Sequence, residues 1–391
     1  MSIRAPIRYA RQSITEADIA AVTEVLRSDF LTQGPQIAAF EKAFADYVGT
    51  KFAVAVCNGT AALHLCQVAL GTQPGQRVIT SPITFAATAN SVCYCGGEVV
   101  FADINLESYC LDINEVKELL TASPKGTYSG IMPVDFAGYP VDLEAFRELA
   151  DSYGLWLLED ACHAPGGAFK DSKGTWQSCG NNQYADCAIF SFHPVKHIAA
   201  GEGGMITTAD EALYKRLLQL RTHGITKPAS AIEQNGSWFY ELEELGYNYR
   251  LTDIQAALGL SQLQRADEGF QRRQQIAARY DVAFEPYPEI TTPSFDKKTI
   301  RHAYHLYVIQ VEQRRGLYEF LRSEGIFCQV HYIPLHLMPY YRKQGWKAGN
   351  CPSAEAYYDK ALSLPMYPSL TEEEQEFVIE RVLHFTTANG R

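Results

Sequence analysis

Lys196 stands in "SFHPVKHIAAGEGG", between a short apolar run and a glycine-rich turn. Withdrawal from water disfavours its charged form, and a neutral amine attacks carbonyl carbon. Gly201, Gly203 and Gly204 allow a sharp turn and close backbone approach beside it. Upstream, "LWLLEDACHA" ends an apolar run in Glu159 and Asp160, followed by His163. Two readings of that acidic pair are open. It is a solvated strand end, or one carboxylate faces a site and holds a cationic nitrogen while the other faces away along the pleat. Earlier, "FAVAVCNGTAALHLCQVAL" passes through Asn58, Gly59 and Thr60 into a helical pattern beginning near Ala61. Gly59 admits close approach, and the free N–H groups of a first helical turn favour an anion. Gly-Thr is also an ordinary helix start.

An amine, a carboxylate and an anion site match the aldehyde, pyridinium nitrogen and phosphate of pyridoxal 5'-phosphate (PLP). The elements needed to bring them together are legible. The runs "FAVAV", "RVITS", "EVVFADI", "GIMPVD", "LWLLED", "CAIFSF" and "GMITT" alternate with helix-like stretches. Runs apolar on both faces predict an α/β fold with a mostly parallel sheet, which binds ligands beyond the carboxyl ends of its strands. A long helical pattern, "LTDIQAALGLSQLQRADEGFQRRQQIAARYDVAF", precedes strand-like "AYHLYVIQV" and "IFCQVHYI". The boundary is placed within that helix, giving a large domain over 1–260 and a smaller α+β domain over 261–391. Ser13 and Glu16 have capping-box spacing at the start of "SITEADIAAVTEVLRSD".

The 391 residues carry a net charge of −11, with 47% hydrophobic and 20% charged residues and no basic arm, which argues against a nucleic-acid partner. No stretch has signal-peptide or membrane-spanning character, so a cytoplasmic protein without membrane contact is expected. Of ten cysteines, Cys57, Cys66 and Cys187 lie in apolar runs and read as reduced hydrophobes. Cys93 and Cys95 lack a matching second pair, and a proline separates His193 from His197; no metal site is assigned.

The chain resembles the sugar aminotransferases of PLP fold type I, which act on nucleotide-linked keto-sugars. The resemblance runs from "RQSITEADIAAV" and "LTQGPQIAAFEKAFADYVGT" through "NGTAALHL", "EDACHAPGG", "SFHPVKHIAAGEGG" and "GYNYRLTDIQAALGLSQL" to "QVHYIPLH". Within the family, "FSFHPVK", "EGG", "NYRLTDIQAALG" and "HYIPLHLMPYY" are most similar to the aminotransferases of pseudaminic acid biosynthesis. That implies ping-pong transfer of an amino group from L-glutamate to C4 of UDP-2-acetamido-2,6-dideoxy-β-L-arabino-hexos-4-ulose. The product would be UDP-4-amino-4,6-dideoxy-N-acetyl-β-L-altrosamine, for a surface glycan or flagellin glycosylation.

The resemblance also implies roles. Lys196 would form the internal aldimine with PLP and then move the proton at the sugar C4. Asp160 would pair with the pyridinium nitrogen and His163 would approach the phenolic oxygen. Phe85 would stack on the ring, although an aromatic at a helix start is also a common core residue. Gly59, Thr60 and Ser191 would hold the phosphate, joined by Asn248 from the neighbouring subunit of a homodimer with shared sites. Arg250 would serve that interface or the donor carboxylate, or would simply cap the following helix. Tyr9, Leu31, Thr32, Gly34, His331 and Tyr332 would line the UDP-sugar pocket, with Thr60, Ser191 and Asn248 at its inner end. His197 stands where relatives commonly have proline or asparagine, and is expected to point away and hydrogen bond. Three alternatives stay open: another nucleotide-linked 4-keto or 3-keto sugar, a PLP-fold sugar dehydratase, and a non-catalytic sugar-binding regulator. A dehydratase would carry histidine in place of Lys196, and a regulator would have lost part of Asp160, His163 and Lys196.

Overall fold

In the computed structural model, which describes residues 5–389, each of the seven apolar runs forms a strand of one sheet. They are β1 (Phe52–Val56), β2 (Arg77–Thr80), β3 (Glu98–Phe101), β4 (Tyr128–Met132), β5 (Trp156–Asp160), β6 (Cys187–Ser191) and β7 (Gly204–Thr208). The order across the sheet is β1-β7-β6-β5-β4-β2-β3. All neighbours are parallel except β7, which runs antiparallel to both β1 and β6. The sheet is therefore mixed. Val54, Val56, Leu157, Leu158, Ile189, Phe190 and Ile206 are fully buried, because helices cover both faces.

This topology places the carboxyl ends of β1, β5 and β6 on one edge. The reversal of β7 brings its first residue to the same edge, with Gly204 paired to Val56 and Ser191. A Cβ at Gly204 would lie 2.5 Å from the Asn58 carbonyl oxygen, so only glycine lets the β7 backbone pass this closely beneath the start of helix Gly59–Ala69.

Two local expectations need correction. The capping box of the first helix, Glu16–Leu26, is Thr15 with Asp18, not Ser13 with Glu16. Asp18 is fully buried and accepts from Thr15 N–H at 2.8 Å, Ser261 Oγ at 2.7 Å and Arg265 at 2.6 Å, and those distant donors fix the cap two residues later. The single long helix is two, Asp253–Leu263 and Ala266–Phe284. Arg265 leaves helical geometry, at φ −119° and ψ 18°, while its guanidinium reaches Asp18 and the Ser13 carbonyl.

A second apolar core lies around helix Ala266–Phe284, with Tyr280, Tyr307, Ile309, Leu317, Leu362 and Val378 buried in it. Tyr307–Gln310 pairs antiparallel with Ala361–Leu364 there. Only Ile326–Phe327 of "IFCQVHYI" is strand, and its parallel partner is the amino-terminal segment Ile7–Arg8. Among the described residues no helix is long and apolar enough to cross a membrane, and all ten cysteines are unpaired thiols.

Candidate active site

The Glu159–Asp160 pair is not a solvated strand end, since both residues are buried. Consecutive residues of β5 point to opposite faces. Asp160 Oδ2 accepts from Thr88 Oγ1 at 2.7 Å, and Oδ1 from Cys162 N–H at 3.2 Å. Thr88 in turn sits 2.8 Å from the Thr84 hydroxyl, one helical turn back. Glu159 turns to the other face, against Gly180, Cys179 and Asp135.

Lys196 is half-buried in a tight turn closed by its N–H to the His193 carbonyl, at 2.8 Å. Withdrawal from water pushes its pKa down, while the neighbouring Cys162 and Asp160 push it up. The net direction is downward, so the amine is easier to deprotonate than a surface lysine. Lys196 and His197 also border a cavity of about 240 Å³ walled by Arg11, Arg265, Arg272 and Arg273, which Asp160, His163 and Gly59 do not line.

His163 is buried, and Nδ1 accepts the Ala137 N–H at 3.3 Å, which leaves the proton on Nε2, 3.4 Å from the Tyr332 hydroxyl. Burial first, then the charges of Lys196 and the neighbouring histidines, hold it well below the usual imidazole range, so it is a neutral donor at Nε2. Tyr332 lies beside His331 with ring centroids 4.9 Å apart, and His331 lies 5.2 Å from Tyr9. Phe85, 61% exposed and 6.2 Å from the Tyr332 ring, is not a core residue.

The anion site has the shape its sequence suggests. Asn58 caps helix Gly59–Ala69, taking Ala61 N–H on its side chain at 2.8 Å and Ala62 N–H on its carbonyl. The N–H groups of Gly59 and Thr60 are the ones left without an intrahelical acceptor. A Cβ at Gly59 would come 3.0 Å from Ser191 Cβ, so the helix start and the end of β6 form one cradle with the Ser191 hydroxyl at its wall. An anion cradle, a carboxylate and a partly desolvated amine on one sheet edge fit the three handles of PLP.

The remaining sequence candidates lie on connecting segments. Leu31 and Thr32 are exposed on a loop docked to Asp253, whose carboxylate takes the Gly34 N–H at 2.7 Å and the Gln36 N–H at 3.0 Å. Asn248 is exposed on a segment that continues to Arg250, itself bridged to Val56. His197 faces the Pro165 carbonyl and meets His305 edge to face at 5.6 Å, while its Nε2 is buried with no hydrogen-bond partner among the described residues. Sequence reading missed Thr88, Cys162 and His305, whose ring lies 4.3 Å from that of His163. Thr84 and Thr88, four apart just before and within "FAATAN", were the available signal for the first.

Fold and site together define a PLP-dependent aminotransferase of fold type I. Residues 12–383 match the DegT/DnrJ/EryC1/StrS aminotransferase family, and the chain belongs to it. It is 42% identical over 383 residues to the spore coat polysaccharide biosynthesis protein SpsC of Bacillus subtilis, covering 96% of this chain and 95% of that one. A UDP-4-amino-4,6-dideoxy-N-acetyl-beta-L-altrosamine transaminase of Campylobacter jejuni is 35% identical, covering 95% of both chains. The structure of Helicobacter pylori PseC, an aminotransferase of pseudoaminic acid biosynthesis, superposes with a TM-score of 0.89 at 30% identity, over 98% of this chain and all of that one. The protein is thus a sugar aminotransferase, taking a keto-sugar and an amino donor.

Proposed function

We propose that the enzyme moves an amino group from L-glutamate to C4 of UDP-2-acetamido-2,6-dideoxy-β-L-arabino-hexos-4-ulose, giving UDP-4-amino-4,6-dideoxy-N-acetyl-β-L-altrosamine. The observation that carries the chemistry is Lys196 beside Asp160, at the sheet edge that also holds the Gly59–Ser191 cradle. The likeness to the Campylobacter transaminase and to PseC supports the particular sugar.

When bound, PLP supplies an electron sink that lets the proton on the amine-bearing carbon leave. Lys196 Nζ would carry the proton between the cofactor's C4′ and the sugar C4, with burial favouring its neutral form. Asp160 keeps a proton on the ring nitrogen, its carboxylate oriented by Thr88 and Cys162 N–H. His163 offers its Nε2–H to the phenolic oxygen. Gly59 and Thr60 N–H groups and the Ser191 hydroxyl anchor the phosphate. Tyr9, His331 and Tyr332 form an aromatic wall for the sugar nucleotide. Asn248 and the loop of Leu31, Thr32 and Gly34 reach the site of a second subunit, and Arg250 serves the same interface.

A second reading, another nucleotide-linked 4-keto or 3-keto sugar, is favoured by the higher identity to SpsC, a spore coat polysaccharide biosynthesis protein. The visible spectrum with added PLP, before and after glutamate, tests the half-reaction: a cofactor band that glutamate bleaches to the amine form is expected. A panel of keto-sugars then decides the acceptor, and failure with the β-L-arabino 4-ketosugar removes the first reading.

A further inference from the structure

Behind Asp160, on the opposite face of β5, two carboxyl groups meet in the protein interior. Glu159 and Asp135 are both fully buried. Glu159 receives the Gly180 N–H on its two oxygens, at 3.1 and 3.0 Å. Asp135 Oδ1 receives the Val141 N–H at 2.9 Å, while its Oδ2 is buried with no geometric hydrogen-bond partner among the described residues and faces Glu159 and the Cys179 thiol. The ligand atoms of Asp135, Glu159 and Cys179 lie within 4.8 Å of one another. The titratable groups acting on this pair are Cys179, Asp160, Cys110 and Cys162, and among the described residues no cation faces it. Two bare carboxylates in contact, dry and without a cation, repel one another, and a proton between them satisfies the orphaned oxygen.

We propose that Asp135 and Glu159 hold one proton between them as a buried acid–carboxylate pair that positions the site from behind. Burial pushes both carboxyls up, Asp135 to about 6 and Glu159 well above the usual carboxylate range, in keeping with that proton. The positioning is traceable through backbone. Asp135 N–H donates to the Asp160 carbonyl at 3.1 Å, and Gly138 N–H donates back to the Asp135 carbonyl. With Val141 N–H on its side chain, Asp135 closes the loop 135–141 around Ala137, whose N–H fixes the His163 tautomer. The role of that tautomer in turnover rests on the aminotransferase reading, whereas the shared proton does not.

The test is infrared spectroscopy of the cofactor-free protein in heavy water at about pH 8, where ordinary carboxyls are ionised. Wild type shows the carbonyl stretch of a protonated carboxylic acid, and Asp135→Asn and Glu159→Gln each lose it, because the amide N–H replaces the shared proton. Absence of the band in folded wild type, or its survival in both variants, overturns the proposal, as does one equivalent of tightly bound metal by elemental analysis. The wild-type spectrum decides even where a variant fails to fold. For positioning, Asp135→Asn keeps the Val141 acceptor and retains PLP within about threefold of wild type, while Asp135→Ala weakens retention about tenfold or more. Equal retention by the two variants removes the positioning role. A protein that shows the acid band yet never binds PLP would refute the aminotransferase reading alone.

Discussion

Thr88→Val separates orientation of Asp160 from every other feature of the site. Valine matches threonine in shape, so it opens no cavity in a helix whose neighbours are buried. It removes the 2.7 Å bond to Asp160 Oδ2 and strips the Thr84 hydroxyl of its 2.8 Å partner. A buried hydrogen bond to a charged group contributes about 1.5–3 kcal/mol and a neutral one about 1, so the cofactor-free protein should lose about 2.5–4 kcal/mol in urea unfolding. If half of the charged bond also orients the carboxylate during turnover, kcat falls about 4- to 13-fold. Thr84→Val removes only the outer bond and should lose about 1 kcal/mol with turnover nearly intact. A Thr88→Val protein within about 0.5 kcal/mol of wild type, or a Thr84→Val loss as large as that of Thr88→Val, would refute this account of Asp160.

Lys196→Ala should abolish turnover while PLP still binds through the cradle, as judged by fluorescence quenching; wild-type turnover by that variant would remove Lys196 from the chemistry. His197→Asn should keep a large part of the activity, since His197 is engaged with Pro165 and His305, and a loss like that of Lys196→Ala would contradict it. His163, His197, His302, His305 and His331 are all held below the usual imidazole range, burial being the largest cause in each. The unfolded chain binds protons near pH 6.5 that the folded chain does not, so stability is full above about pH 6.5 and is lost as pH falls below it, by up to about 1.4 kcal/mol per pH unit per histidine. Equal stability of the cofactor-free protein at about pH 7 and pH 5 would show that these rings are not neutral and buried.

All seven strands were legible because a buried strand needs no surface alternation and therefore reads as an unbroken apolar run. The reversal of β7 was legible only indirectly: the stretch between Ser191 and Gly204 carries no helical pattern for a parallel crossover. What local pattern missed depends on distant partners. The capping box moved to Thr15 because Ser261, Gln262 and Arg265 hold Asp18, and the same Arg265 breaks the long helix. Thr88 was missed because its meaning depends on which face of helix Ala86–Tyr94 meets β5. Lys196, Asp160, His163 and the Gly59 turn were readable because each follows an apolar run, and parallel strands deliver their carboxyl ends to one edge. Leu31, Thr32, Gly34 and Asn248 are as clear in their motifs, and within one chain they lie on a loop docked to Asp253 or are exposed.

The Glu-Asp dipeptide at the end of β5 shows how the pleat divides work between adjacent like charges. On one face, Asp160 meets Lys196 and two donors, so its charge acts on the site. On the other, Glu159 meets Asp135, and a bare pair there would stack a third carboxylate charge behind Asp160 in a region with little water. Holding one proton in that pair limits the field to a single extra negative charge, the sign that favours a protonated ring nitrogen at Asp160. Asp135→Asn preserves that single charge on Glu159, whereas Glu159→Gln leaves it on Asp135, nearer the loop that carries Ala137. Both amides keep one negative charge and an acceptor for the Val141 N–H, so both should retain PLP within about threefold of wild type, whereas Asp135→Ala, which removes the acceptor, should not.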